Sequence, residues 1–175
     1  SRHCFDQLFL QREAPEGESL ESAFAAVIEP FAGEPSVSAA ELLPVENNET
    51  DALRAVAVEV RTRNGHRDLC FSDGRPDLRR RVGGATVAGE FAYLSRDAQG
   101  LRQATLIGGV ALESPEVQLR LSAPAQTATV AEIDYAGRTL RLSRALPGAG
   151  LAGGFAEIGN AAHRTSLEIE ALERE

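Results

Sequence analysis

The chain of 175 residues has no lysine, no methionine and no tryptophan, and only two cysteines and two tyrosines. All 18 basic residues are therefore arginine, which removes Schiff-base chemistry and a lysine general base. Without methionine the chain does not begin on its own initiator. N-terminal processing or a tag is one explanation, and Ser1 as an internal residue of a longer polypeptide is the sharper one. Aromatics make up 5% of the chain, so a core must come from Val, Leu, Ile and Ala. Cys4 and Cys70 are too few for a disulfide scaffold and lack zinc-site spacing. Cys70 sits in a strand pattern and reads as a buried free thiol, with a Cys4–Cys70 bridge as the open alternative. No apolar run approaches the roughly 18 residues of a membrane span, and no signal peptide is visible. The net charge of −8 and pI near 5.0 argue against nucleic acid and anionic membrane as partners, because both require a basic footprint.

What is present is an ordinary globular composition, 43% hydrophobic and 25% charged, in a length that suits one domain over residues 1–175. The dominant hydrophobic period is two, which predicts strands. In "RAVAVEVRTRNGHRDLCFS", Val56, Val58 and Val60 alternate with Ala57, Glu59 and Arg61. Asn64-Gly65 predicts a two-residue type I′ turn, which places Arg61 opposite Asp68, Val60 opposite Leu69 and Val58 opposite Phe71. "ATVAGEFAYLS" and "LRQATLIGG" form the next predicted pair around "RDAQG", followed by "VQLRLS". "ATVAEIDYAGRTLRLS" predicts a hairpin with Leu140 and Leu142 inward, and Phe155–Ile158 with "SLEIEAL" predicts two closing strands. "FDQLFLQ" and "SAFAAVIEP" bring the total to roughly ten or more strands with no long helix. The predicted fold is all-β, an antiparallel β-sandwich or stacked sheets.

Groups for chemistry are sparse. His3, His66 and His163 fall near a terminus, beside a turn and in a polar run, in no metal or triad spacing. Tyr93 reads as a sheet-face packing residue and Tyr135 as a half-exposed turn residue. The glycines of "VGGATVAGE" and "LIGGVAL" read as lying between strands with no following helix, so they cradle no phosphate. No cofactor and no metal ligand set is expected. One basic cluster stands out, "RPDLRRR", with Arg75, Arg79, Arg80 and Arg81. It reads first as a solvated loop that balances the acidic surface, and second as a site whose forked guanidinium groups meet sulfate or uronate.

"SAFAAVIEPFAGEPSV" resembles a segment of the heparinase II/III-like polysaccharide lyases, in which a strand ends in Glu-Pro-aromatic and a Gly-x-Pro turn follows. The matching residues are Phe24, Val27, Glu29, Pro30, Phe31, Gly33 and Pro35. "LIGGVALES" is similar to the family's strand-Gly-Gly-strand step, and "GGFAEIGNAAHRTSLEIEAL" to its closing strands. The resemblance implies a C-terminal β domain, periplasmic or extracellular, that braces an N-terminal helical toroid and contributes to a homodimer contact. Residues 1–12 would end a preceding sheet. The parent would cleave by β-elimination, but no catalytic residue of the family matches a position here, so this chain alone would be inactive. The alternatives are a stand-alone module for acidic polysaccharide using the four arginines, and a structural assembly domain.

Overall fold

The computed structural model describes residues 10–20, 22–146 and 151–173. These form eleven strands and no helix, and every strand pairing is antiparallel, so the chain is all-β as its period predicts. A main sheet runs in the order β1 (Val37–Leu42), β2 (Val56–Thr62), β3 (Arg67–Ser72), β5 (Ala85–Asp97), β6 (Gly100–Glu113), β7 (Gln118–Arg120), with β4 (Arg80–Val82) pairing on β5. Two separate hairpins follow, β8 (Val130–Asp134) with β9 (Thr139–Leu142), and β10 (Phe155–Gly159) with β11 (Arg164–Glu168).

The β2–β3 hairpin forms, but one residue out of the predicted register. Arg61 lies opposite Arg67, Val60 opposite Asp68 and Val58 opposite Cys70. Thr62 N donates to His66 O, and Gly65 N donates to Thr62 O, each at 3.0 Å. The loop is thus Arg63-Asn64-Gly65, with only Gly65 in the left-handed region at φ 86°. The Thr62 hydroxyl holds this longer loop, bonding the Asn64 side chain and accepting from His66 N. Because side chains alternate, the slip moves each residue to the other face. Ala55, Ala57 and Glu59 are buried, whereas Val56, Val58 and Val60 are half-buried. The type I′ geometry instead occurs at Gly83-Gly84, where φ is 55° and 78° between the paired Val82 and Ala85.

The core lies on one face, around Phe71, Leu94, Leu112 and Val87, all fully buried. Ala85 and Val87 line it together with Ala92 and Leu94, so β5 changes which alternate positions face inward midway along its length. The change coincides with a bulge, since Ala88 opposes Ala111 but Gly89 opposes Gly109. Gly108-Gly109 and Gly89 therefore lie inside long strands, not between strands as the sequence suggested. Here the backbones approach so closely that a Cβ on Gly109 would sit 2.4 Å from the Ala88 carbonyl oxygen. Bulge and glycine together bend the long hairpin over the core, consistent with a β-sandwich.

Other expectations are corrected locally. Residues 22–30 form no strand, and Phe24 and Ile28 are exposed. Of "FDQLFLQ", residues 5–9 lie outside the described residues, and Leu10 and Gln11 are in no strand. The Glu-Pro-aromatic segment works as a cap instead. The Glu29 carboxylate accepts from Ser36 N at 2.6 Å, from the Ser36 hydroxyl at 2.5 Å and from Val37 N. Pro30, which has no backbone N–H to pair, closes this unpaired run, and Gly33, at φ 91°, turns the chain into β1. Leu140 is exposed and Leu142 half-buried, so the β8–β9 hairpin has no enclosed inner face.

Candidate functional site

The four arginines of the basic cluster are distributed by β4 and the loop before it. Arg80 opens β4, and its alternation with Val82 turns it inward, leaving its side chain 3% exposed. A buried guanidinium requires partners for its donors, and each of its three nitrogens has one. Nε donates to Asp73 Oδ2 at 2.8 Å, Nη1 to the Asn47 carbonyl at 2.7 Å and Nη2 to Glu49 Oε2 at 2.5 Å. Arg75 forks onto Asp51, with Nη1 to Oδ1 at 3.0 Å and Nη2 to Oδ2 at 2.5 Å. Arg79 approaches Glu113 at 3.6 Å, where Arg120 also binds at 2.7 Å. Arg81 is exposed and has no ion-pair partner among the described residues, while its carbonyl accepts from Glu46 N.

The structure thus brings Arg75 and Arg80 together around Glu49, and leaves Arg79 and Arg81 apart from them. The bland sequence reading of a solvated loop fails for Arg80, whose inward position in a strand follows from pairing opposite Val87. Glu49, Asp51 and Glu113 are held below their ordinary carboxylate values, chiefly by side-chain hydrogen bonds from Arg80, Arg75 and Arg120 respectively. The bond to Asp51 in turn raises Arg75, and the bond to Asp73, with a smaller share from Glu49, raises Arg80. A guanidinium already committed to carboxylates offers little to a polyanion. This arrangement is a clamp that pins β4 to the loop over residues 47–51 and to Asp73.

The remaining reactive groups point the same way. Tyr93 packs on the sheet between Cys70 and Thr105, as expected. Burial above all pushes its phenol above the ordinary value, so it is a poor proton acceptor at neutral pH. Cys70 is a free thiol, half-buried where full burial was expected, and burial with nearby Asp68 raises its pKa too. It lacks the electropositive setting of a nucleophile. Tyr135 is 84% exposed, more than expected. His66 flanks the hairpin loop with Arg102 Nη1 at 3.2 and 3.3 Å from its ring nitrogens, and His163 is exposed in the β10–β11 turn. His3 and Cys4 lie outside the described residues. Among the described residues no group of His, Cys, Asp and Glu could hold a metal ion, and no helix is long and apolar enough to cross a membrane.

Sequence reasoning missed Glu59, buried between Arg61 and Arg67. Its signal was the run Ala55-Ala57-Glu59, which shares one strand face once the hairpin register is right. Compared with protein-family models, curated proteins and solved structures, the chain matches none.

Proposed function

We propose that this chain is a non-catalytic β domain that braces a neighbouring domain of a larger protein, in the manner of the heparinase II/III-like polysaccharide lyases that residues 22–37 resemble. One observation carries the reading: the β8–β9 and β10–β11 hairpins pack chiefly on themselves and leave apolar side chains uncovered. Ile133 and Leu140 oppose each other, and both are exposed. Phe155 is 72% exposed on one face of the last hairpin, and Leu167 is exposed on the other. An isolated two-stranded hairpin is marginal in water, and apolar faces of this kind are where another surface docks.

In this reading the polysaccharide, the elimination chemistry and the secreted location belong to the parent protein. The test is association. The portion of the natural gene upstream of this segment is expressed separately and titrated by calorimetry with this chain. Binding is expected, and a triple variant Ile133→Ser, Phe155→Ser, Leu167→Ser weakens it at least tenfold while leaving the main sheet folded. A gene with no upstream domain, or no binding by one, overturns the reading.

A further inference from the structure

A second ionic arrangement lies at the far end of the core face. Strand β3 sits between β2 and β5, so Arg61, Arg67 and Arg96 are directly opposed in a row across three strands. Like charges opposed in this way repel. Carboxylates answer part of the repulsion. Glu59 accepts from Arg61 Nε at 2.7 Å and from Arg67 Nη2 at 2.8 Å, and Glu116 accepts from Arg96 Nε at 2.6 Å. Each of these bonds uses one edge of its guanidinium. Among the described residues nothing takes Nη1 or Nη2 of Arg96, although its side chain is only 23% exposed. Nε and Nη1 of Arg67 are likewise uncommitted.

Both arginines line a cleft of about 240 Å³ whose other walls are Glu59, Leu43, Leu69, Pro115 and the Gly83-Gly84 turn. Leu43 and Leu69 reach the turn closely: a Cβ on Gly83 would lie 3.2 Å from Leu43 Cδ1 and 3.4 Å from Leu69 Cδ2. The lining therefore joins two guanidinium groups with unused donors to an apolar wall. We propose that this cleft binds the carboxylate of a small aliphatic acid, with Arg96 and Arg67 donating to its oxygens and Leu43 and Leu69 beside its hydrocarbon body. The forked donors suit a carboxylate. Two guanidinium groups and the Glu59 carboxylate leave the lining one positive charge, which matches a monoanion. A phosphate dianion would set its second charge against Glu59. The proposal is independent of the bracing role, since the cleft is formed by the main sheet and not by the C-terminal hairpins.

The experiment is a titration of the 15N-labelled chain with isovalerate, galacturonate and inorganic phosphate at matched ionic strength. Isovalerate is expected to give saturable shifts at the Gly83 and Gly84 amides and at the Arg67 and Arg96 Nε–H signals, with a Kd of about a millimolar, as two charge-assisted contacts in an open cleft allow. Arg96→Gln weakens it at least tenfold, Arg96→Lys recovers part of the loss, and Arg81→Gln has no effect. Arg67→Gln, at a more exposed position, gives a second loss variant that keeps the fold. Shifts that never saturate, unchanged affinity in both Gln variants, or tighter binding of galacturonate or phosphate than of isovalerate would each overturn the proposal.

Discussion

Replacing Asp73 with alanine tests the clamp around Arg80. The Asp73 side chain is 1% exposed and that of Arg80 3%, and their bond is 2.8 Å. Removing the carboxylate leaves a buried cation with the Asn47 carbonyl and Glu49, itself 30% exposed, as remaining partners. Breaking a buried pair costs about 3–5 kcal/mol, and the surviving Glu49 contact places this case near about 3. Asp73 Oδ1 also accepts from Arg75 N at 2.9 Å, and losing that bond adds about 1 kcal/mol. The expected total of about 3–4 kcal/mol lowers Tm by about 6–16 °C for a chain of this size. Urea and thermal unfolding followed by circular dichroism read it directly. Arg80→Met, which strands the carboxylate instead, costs a similar amount. The double variant Arg80→Met, Asp73→Ala falls short of the summed losses by about 2 kcal/mol, because each single change already breaks the same contact. A loss below about 1 kcal/mol for Asp73→Ala would refute the reasoning, since it would mean that water or Glu49 satisfies the guanidinium unaided.

Further outcomes follow from the same geometry. Glu49 and Asp51 have folded pKa values below their ordinary ones, so their contribution to stability is complete above the unfolded values and is lost as pH falls through the folded ones; stability measured by urea unfolding is expected to be flat above about pH 5 and to drop below about pH 4. Asn64→Ala is expected to cost less than about 1 kcal/mol, the exposed bond to Thr62 alone, and Gly65→Ala about 1–2, because only Gly65 holds a positive φ; a type I′ turn would add a backbone cost at Asn64 as well. Gly109→Ala drives a Cβ into the Ala88 carbonyl and is expected to cost about 3 kcal/mol or to change the β5–β6 amide shifts throughout. Cys70 is expected to react with iodoacetamide at neutral pH more slowly than a free thiol, and to match it once unfolded in urea; equal rates in the folded chain would contradict its raised pKa.

Most of the strand content was legible because alternation is a local signal, and all the strands placed between Val56 and Leu142 exist, but β1 and the three-residue β4 were not foreseen. Register was not. Asn64-Gly65 favours a two-residue loop by composition, but the Thr62 hydroxyl stabilises a three-residue one, and that single residue exchanges Val58 for Ala57 on the core face. Small Ala55 and Ala57 face the core beside Phe71, a choice set by packing against residues distant in sequence that no hydropathy pattern reveals. The "SAFAAVIEP" run failed as a strand for a related reason: its apolar residues are strand formers without a partner strand, and Glu29 bonds to the backbone of Ser36 and Val37. The arginine cluster was visible as composition. Its division into a buried clamp and an exposed Arg81 depends on Glu49, Asp51 and Asp73, separated from Arg80 by 7 to 31 residues. The row Arg61, Arg67, Arg96 exists only in the observed register.

The central claim, a bracing role through the two C-terminal hairpins, is tested most directly by hydrogen exchange on this chain alone and within the product of its natural gene. The account predicts fast exchange over residues 130–142 and 155–168 in the isolated chain, slow exchange in the main sheet, and protection of both hairpins in the parent. Hairpins already protected in isolation, or equally unprotected in the parent, would contradict it.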